Sequence, residues 1–226
     1  MKLIGLVGSI GSGKDTAADI LVNTHYFYRE SFAGVLKDVV SVVFGWDRTL
    51  LEGRSDYARQ WREQVDPWWA ERLKNSQLNP RWVLQQWGTE VCRQHFHDDI
   101  WVASLENKLR KLNQGVIPPT DIVISDVRFP NEIKAIQNQG GIIIQVERGE
   151  CPVWYEWAKK FNNADHGTQR TMRIVADLEE SQFRYKIHPS EWAWIGCDID
   201  YKIDNNGSLQ DLYEQIRSIL MFETTY

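Results

Sequence analysis

The stretch GLVGSIGSGKDTAAD, residues 5–19, constrains this chain more than any other. Leu3 to Val7 is continuously apolar, as in a strand buried on both faces of a parallel sheet. Ala17, Ile20 and Leu21 fall at i, i+3 and i+4, one face of a helix that begins near Gly13. The glycine-rich segment therefore lies between a strand and a helix N-terminus, where backbone amides and the helix dipole attract anions. Gly8-x4-Gly13-Lys14 is the spacing of a phosphate-binding loop, but the position after the lysine, normally a Ser or Thr that holds Mg²⁺, is Asp15, and Thr16 comes one place late. A carboxylate beside a polyphosphate repels it unless a cation intervenes. Asp15 is thus expected to contact Mg²⁺ itself or through a bound water, with Thr16 assisting; the alternative is that it merely complements the helix N-terminus.

The 226 residues, 42% hydrophobic and 25% charged, suit one substantial core with insertions. A formal net charge of -5 speaks against coating nucleic acid or an anionic membrane and leaves small anions as the expected partners. Cys92, Cys151 and Cys197 are widely spaced and form no Cys-x-x-Cys pair, so neither a disulfide framework nor a zinc site is expected, and the chain reads as a soluble, unexported protein of a reducing cytoplasm. No stretch approaches the ~20 apolar residues of a membrane span.

Further α/β punctuation follows. Strands are expected at Asp121–Ser125 and Ile142–Val146, flanking a helix from about Pro130 to Gln139. Another strand is expected near Ile199–Ile203, then a turn and a helix carrying Leu209, Leu212, Ile216 and Ile219. Between the first unit and Asp121 the sequence is helical. Leu36, Val39, Val40 and Val43 mark one helix, and Asp66-Pro67 and Asn79-Pro80 each read as an N-cap followed by proline at the first helical position. Seven of the eleven tryptophans lie between Trp46 and Trp101, an aromatic content that fits packed core or a pocket for a flat ligand. Residues 149–190, with six Lys/Arg in mixed polar sequence, resemble a lid.

Asp126 follows the expected strand at 121–125, on the carboxyl edge where open parallel sheets bind ligands, and suits a second metal-supporting role. Arg128 suits a bidentate phosphate clamp; spacing alone equally allows a surface ion pair with Glu132. His188 and Glu191 could form a cap, a nucleotide contact or a metal pair. His95-x-His97-Asp98-Asp99 looks metal-like but reads as a helix end followed by an acidic N-cap for the helix of Trp101, Leu105, Leu109 and Leu112.

The stretches GSGKDTAAD (11–19), FAGVLKD (32–38), RWVLQQWGTE (81–90), SDVRFPNE (125–132), HPSE (188–191) and DNNGSL (204–209) resemble, in the same order, those of the deoxynucleoside monophosphate kinases of tailed bacteriophages. The resemblance spans nearly the whole chain, and the shifted Lys-Asp-Thr belongs to it. It implies an α/β, three-layer P-loop nucleoside monophosphate kinase fold with a central parallel sheet, a helical acceptor-binding insertion and a lid. The corresponding divisions are a core at 1–33, 116–148 and 195–226, an insertion at 34–115 and a lid region at 149–194. It further implies ATP and Mg²⁺ as cofactors, a deoxynucleoside monophosphate as acceptor, the cytoplasm of an infected host as location, and leaves room for a homodimer.

Carried over by position, Gly11, Ser12, Gly13, Lys14, Asp15 and Thr16 would bind ATP phosphates. Lys14, Arg128 and Asp126 would be catalytic, and Asp15 and Asp126 would serve the metal. Phe32, Ala33, Lys37, Arg81, Gln85, Gly88, Thr89, Glu90 and Arg128 would bind the acceptor. Gln85 is suited to a base edge and Arg81 to the monophosphate. Arg170, Arg173 and Arg184 are the lid arginines from which a further catalytic cation would come. Competing readings are another small-molecule P-loop kinase, similar to dephospho-coenzyme A or phosphomevalonate kinases, and an ATP-switched single-strand binder using the tryptophans, which the net charge disfavours.

Overall fold

The computed structural model describes residues 1–114, 121–178 and 187–223, with the side chains of Asn113 and of residues 173–178 outside the description. Its chain divides into two compact units, Met1–Glu30 with Pro119–Tyr226, and Ser31–Pro118.

The first unit is built on five parallel strands: β1 (Leu3–Val7), β2 (Tyr28–Glu30), β3 (Ile122–Ile124), β4 (Ile142–Glu147) and β5 (Tyr201–Asp204), in the order β2-β3-β1-β4-β5. The apolar run of β1 is fully buried because it is the central strand, paired with β3 on one side and β4 on the other. On one face Ile4, Leu6, Ile144 and Val146 pack with Ala17 and Leu21 of α1 (Lys14–His25). Leu212 and Ile216 of the last helix, Leu209–Phe222, join the same cluster. The helix Pro130–Asn138 packs on β1 and β4 through buried Ile133 and Ile136. The parallel three-layer architecture expected from the sequence is therefore present. The last strand lies two residues later than its expected start, and β2, only Tyr-Arg-Glu, has no apolar pattern to betray it.

The described part of the region after β4 carries secondary structure of its own. It contains helices Tyr155–Asn162 and His166–Leu178, and Trp157, Phe161 and Trp192 form a small aromatic cluster. Among the described residues no helix is long and apolar enough to cross a membrane.

The second unit is helical: α2 (Gly34–Phe44), α3 (Arg48–Glu52), α4 (Asp56–Glu63), α5 (Pro67–Arg72), α6 (Pro80–Gln85), a π-helix (Gln86–Phe96) and α7 (Ile100–Asn113). Asp66 and Asn79 cap α5 and α6 as their Asp-Pro and Asn-Pro pairs require, accepting from Trp69 N and Trp82 N. Of the unit's seven tryptophans Trp46 and Trp101 are buried, Trp61, Trp69, Trp82 and Trp87 are half-buried and Trp68 is exposed. Phe44 stacks on Trp46 at 4.5 Å and meets Trp69 and Trp87 at 4.8 and 5.4 Å, while the Trp46 and Trp69 indoles donate to Asp66 and to Phe44 O.

Two local expectations fail here. The buried stripe of α2 is the single i, i+4, i+8 row Leu36, Val40 and Phe44, narrower than the apolar face its sequence offers, and Val39 and Val43 beside it are exposed. Asp99 makes no side-chain cap for α7; its own N–H donates to His97 Nδ1 instead.

Candidate active site

At the carboxyl edge of β1 the chain turns through the glycine-rich loop into α1. Gly8 has φ +147° and Gly13 φ +98°, and a Cβ at either would collide, with Val146 O at 2.4 Å or Asn205 Nδ2 at 2.1 Å. Only glycine satisfies both the backbone angle and the space at these two positions. Asn205, just beyond β5, donates from Nδ2 to Ser12 O (2.9 Å) and from its backbone to Glu147 O (2.8 Å), tying the loop to the sheet edge.

α1 begins at Lys14 with Gly13 as its N-cap, which has no side chain to accept from the first-turn amides. Beside them Ser12 is 2% exposed and its Oγ is buried without a hydrogen-bond partner. A buried orphan hydroxyl next to an uncapped helix N-terminus fits an anion with several acceptor oxygens.

Lys14 Nζ donates to Gly8 O (2.7 Å) and Ser9 O (2.8 Å), arching over the loop. Burial pushes its ammonium down to about 8, with the Arg128 charge acting the same way and Glu191, Asp15 and Asp126 acting against it. The cation remains the main form at pH 7.

Arg128 is set by two carboxylates with different tasks. Glu132, 2% exposed, accepts the backbone N–H groups of Arg128 (2.7 Å) and Phe129 (3.1 Å) at the start of the helix Pro130–Asn138. The guanidinium pairs instead with Glu191, at 2.6 Å from Nη1. The ion pair with Glu132 that the spacing allowed is thus replaced by backbone capping, and the partner comes from 63 residues away. Burial opposes the charge on Arg128, but Glu191, joined by Asp126 and Glu132, outweighs it and holds the group above its ordinary value. Glu191 lies on the short 3₁₀ turn Pro189–Glu191, capped by His188, whose Nδ1 accepts from Ser190 N (3.2 Å). Of the roles open to His188, the structure exhibits the cap.

Asp126 stands between β3 and Arg128, and its charge acts on both Lys14 and Arg128. The Asp15 carboxylate pairs with Arg29, whose Nη1 also holds Asp19 (2.9 Å) and whose Nε donates to Ser125 Oγ (3.0 Å). Arg29, on the unpredicted β2, is the residue that sequence reasoning missed. Thr16 is exposed. Among the described residues no three His, Cys, Asp or Glu side chains gather as a metal-holding group. His95 Nδ1 lies 2.5 Å from Glu90 O.

In the helical unit, Phe32 is buried and Ala33 stands at the N-terminus of α2. Lys37 donates to Glu52 (2.7 Å), while Arg81 pairs with Glu63, so each cation already has a carboxylate partner. Gln85 ends α6. Gly88 and Thr89 are buried in the π-helix, where Gly88 O accepts from the Trp101 indole (2.8 Å) and a Cβ on Gly88 would meet Leu36 Cδ2 at 3.0 Å. Glu90 follows on the same π-helix. α2, α6 and the π-helix thereby carry Lys37, Arg81, Gln85, Gly88, Thr89 and Glu90, with α6 neighbouring both other elements, while Phe32 and Ala33 lie in the turn that leads into α2. Arg170 is exposed on the helix His166–Leu178; the Arg173 side chain and Arg184 lie outside the described residues.

Burial works against ionisation of Glu52, but Lys37 and then Arg48 overcome it and hold the carboxyl at about 2 against an ordinary 4.5. With the folded value below the unfolded one, the stabilisation is complete above pH 4.5 and is lost as pH falls toward 2. Glu52→Gln is expected to cost about 1–2 kcal/mol at pH 7, after allowance for solvent screening, with the gap to wild type closing on acidification in urea melts at stepped pH.

No protein-family model matches the chain. It is 34% identical over 157 residues to the "Putative deoxynucleotide monophosphate kinase" of Acanthamoeba polyphaga mimivirus, covering 66% of this chain and 75% of that protein. It is 30% identical over 178 residues to the deoxynucleoside-5'-monophosphate kinase of Escherichia phage T5, covering 58% and 69%. An alignment of 243 positions with the deoxynucleotide monophosphate kinase of Enterobacteria phage T4, at 23% identity, covers 97% and 99%. Among solved structures, dephospho-CoA kinase from Campylobacter jejuni aligns at TM-score 0.40 and 12% identity over 97% of this chain and 96% of that one. Shikimate kinase from Acinetobacter baumannii aligns at TM-score 0.37 and 12% identity, covering 100% and 94%. The sequence relatives decide the matter: this chain belongs to the deoxynucleoside monophosphate kinase family.

Proposed function

We propose that the protein transfers the γ-phosphoryl group of ATP to a deoxynucleoside monophosphate, giving ADP and the deoxynucleoside diphosphate. The observation that carries this reading is the uncapped start of α1 beside the orphan Ser12 hydroxyl, with Lys14 arched over the loop, in a chain of this family. Gly11 to Thr16 bind the ATP phosphates, Lys14 follows the migrating group, and Arg128 offers its fork to phosphate oxygens. Phe32 and Ala33 at the end of the core segment 1–33, with Lys37, Arg81, Gln85, Gly88, Thr89 and Glu90 of an insertion at 34–115, form the acceptor side, and residues 149–194 act as the lid. Phosphoryl transfer demands little covalent chemistry of a protein, so positioning and charge neutralisation supply the rate.

Incubation with ATP, Mg²⁺ and each common dNMP or NMP in turn, with products resolved by chromatography, tests the assignment. At least one purine and one pyrimidine deoxynucleotide are expected to be phosphorylated, with ribonucleotides poorer. Turnover of a non-nucleotide acceptor alone would sink it.

Mg²⁺, when bound, neutralises charge on the transferring phosphates. The donor set fits an ion held largely by substrate phosphates and water, with Asp126 and Asp15 as the carboxylates and Thr16 assisting, rather than a cage of protein ligands. Asp15 serves such an ion either through water while paired with Arg29 or by leaving that pair. Asp15→Ala is expected to raise the Mg²⁺ concentration for half-maximal rate about tenfold, and Asp15→Ser to recover part of it by restoring a hydroxyl. An unchanged Mg²⁺ titration with a lowered melting temperature would leave the Arg29 ion pair as the whole role of Asp15.

A further inference from the structure

Arg128 is gripped from one end only. Its Nη1 donates to Glu191 Oε1 (2.6 Å), Ser190 Oγ (3.2 Å) and Ser190 O (3.4 Å). Nε and Nη2, the other edge of the planar fork, make no hydrogen bond among the described residues, although the side chain is only 39% exposed. The grip is itself preformed. His188 Nδ1 lies 2.8 Å from Ser190 Oγ, Glu191 N donates to His188 O (2.9 Å), and the Trp194 indole donates to Glu191 O (3.1 Å). The Glu191 side chain is 16% exposed, so its carboxylate is held rather than freely solvated.

A guanidinium with both ends loose must lose side-chain entropy when it closes on a phosphate; one pinned at Nη1, with its backbone fixed by Glu132, has lost most of it beforehand. We infer that Glu191, assisted by Ser190, is a positioning residue for phosphoryl transfer: it anchors Nη1 of Arg128 so that the Nε–Nη2 edge is presented, already oriented, for a two-point contact with phosphate oxygens. This rests on the kinase reading above. Glu191 never touches the substrate; it acts through Arg128, at a distance of 63 residues in sequence.

A double-mutant cycle separates this from a merely structural tie. Wild type, Glu191→Gln, Arg128→Ala and the double variant are compared for kcat, for KM of ATP and deoxynucleotide, and for melting temperature. Glu191→Gln is expected to lower kcat about tenfold with KM changed less than about threefold, the pattern of an interaction expressed in the transition state. In the Arg128→Ala background the same change is expected to cost less than about twofold, because nothing is left to position. Guanidinium ion in the low millimolar range is expected to restore part of the Arg128→Ala rate but none of the double variant's. Equal losses in both backgrounds, or a Glu191→Gln enzyme at full rate, overturns the inference. If Glu191→Gln does not fold, Ser190→Ala enters the same cycle with the same expectations at a smaller, roughly threefold, effect. If the wild type phosphorylates no deoxynucleotide, the function reading fails on its own. Calorimetric titration of the four proteins with inorganic pyrophosphate then tests the anchor: weaker binding on Glu191→Gln only where Arg128 is present supports it, and an equal loss without Arg128 overturns it.

Discussion

Lysine in place of Arg128 is expected to lower kcat/KM for the deoxynucleotide at least about 10²-fold, the scale of losing one transition-state donor. Charge is conserved in this substitution and geometry is not. Arg128 spends Nη1 on Glu191 and Ser190 and keeps a second edge for the substrate. A lysine ammonium is a point donor on a flexible stem, so an ammonium drawn to Glu191 faces away from the phosphate. The melting temperature is expected to move little, because Glu132 fixes the backbone here independently of the side chain. Steady-state kinetics beside a thermal melt check both halves; near wild-type kinetics would return Arg128 to a structural ion pair.

Lys14→Met is expected to do more, about 10³-fold in kcat, since it removes the cation that follows the migrating phosphoryl group. Its effect on stability should run the other way. Folding depresses the Lys14 ammonium to about 8 by burying it, so the charged form is disfavoured in the folded state. The penalty is complete below pH 8 and shrinks as pH rises toward 10.5. A methionine of similar length has no charge to bury, so the variant is expected to melt no lower than wild type at pH 7. Single-turnover assays together with calorimetry test the pair of outcomes; an active variant, or one that unfolds early, contradicts the placement of Lys14 as a functional cation held against the interests of the fold.

What could be read from the sequence, and what could not, follows the range of the interactions. β1, α1 and the caps Asp66 and Asn79 were legible because apolar period and capping chemistry act within a few residues. The loop itself was legible for the same reason. β2 was not: Tyr-Arg-Glu has no apolar alternation, and it is a strand because Ile122–Ile124 offers it a parallel edge. The partners of the charged residues were illegible too. Arg128 had a nearby carboxylate in Glu132 and took a distant one in Glu191, and Asp15 found Arg29 across a turn no periodicity marks. Tertiary geometry decides such pairings: the spacing of His188 and Glu191 marked the HPSE stretch but not Arg128 as the partner of its carboxylate.

The strand order β2-β3-β1-β4-β5 also bears on how the chain is made. Both hydrogen-bonding neighbours of β1 arrive late: Leu3 pairs with Ile122, and Ile4 with Ile142. At ~5–20 residues per second of synthesis, the fully buried central strand waits roughly ten seconds without either ladder. In that interval Ser31–Pro118, a compact unit of short-range helical contacts, is free to collapse first, because it needs no strand from elsewhere. Its folding shortens the effective loop between β2 and β3, whose pairing of Glu30 with Ile124 would otherwise require a long unstructured excursion to close. The nascent chain is thus expected to mature from its middle outward, and its glycine-rich loop can acquire its sheet-edge tie only when Asn205, beyond β5, has been added.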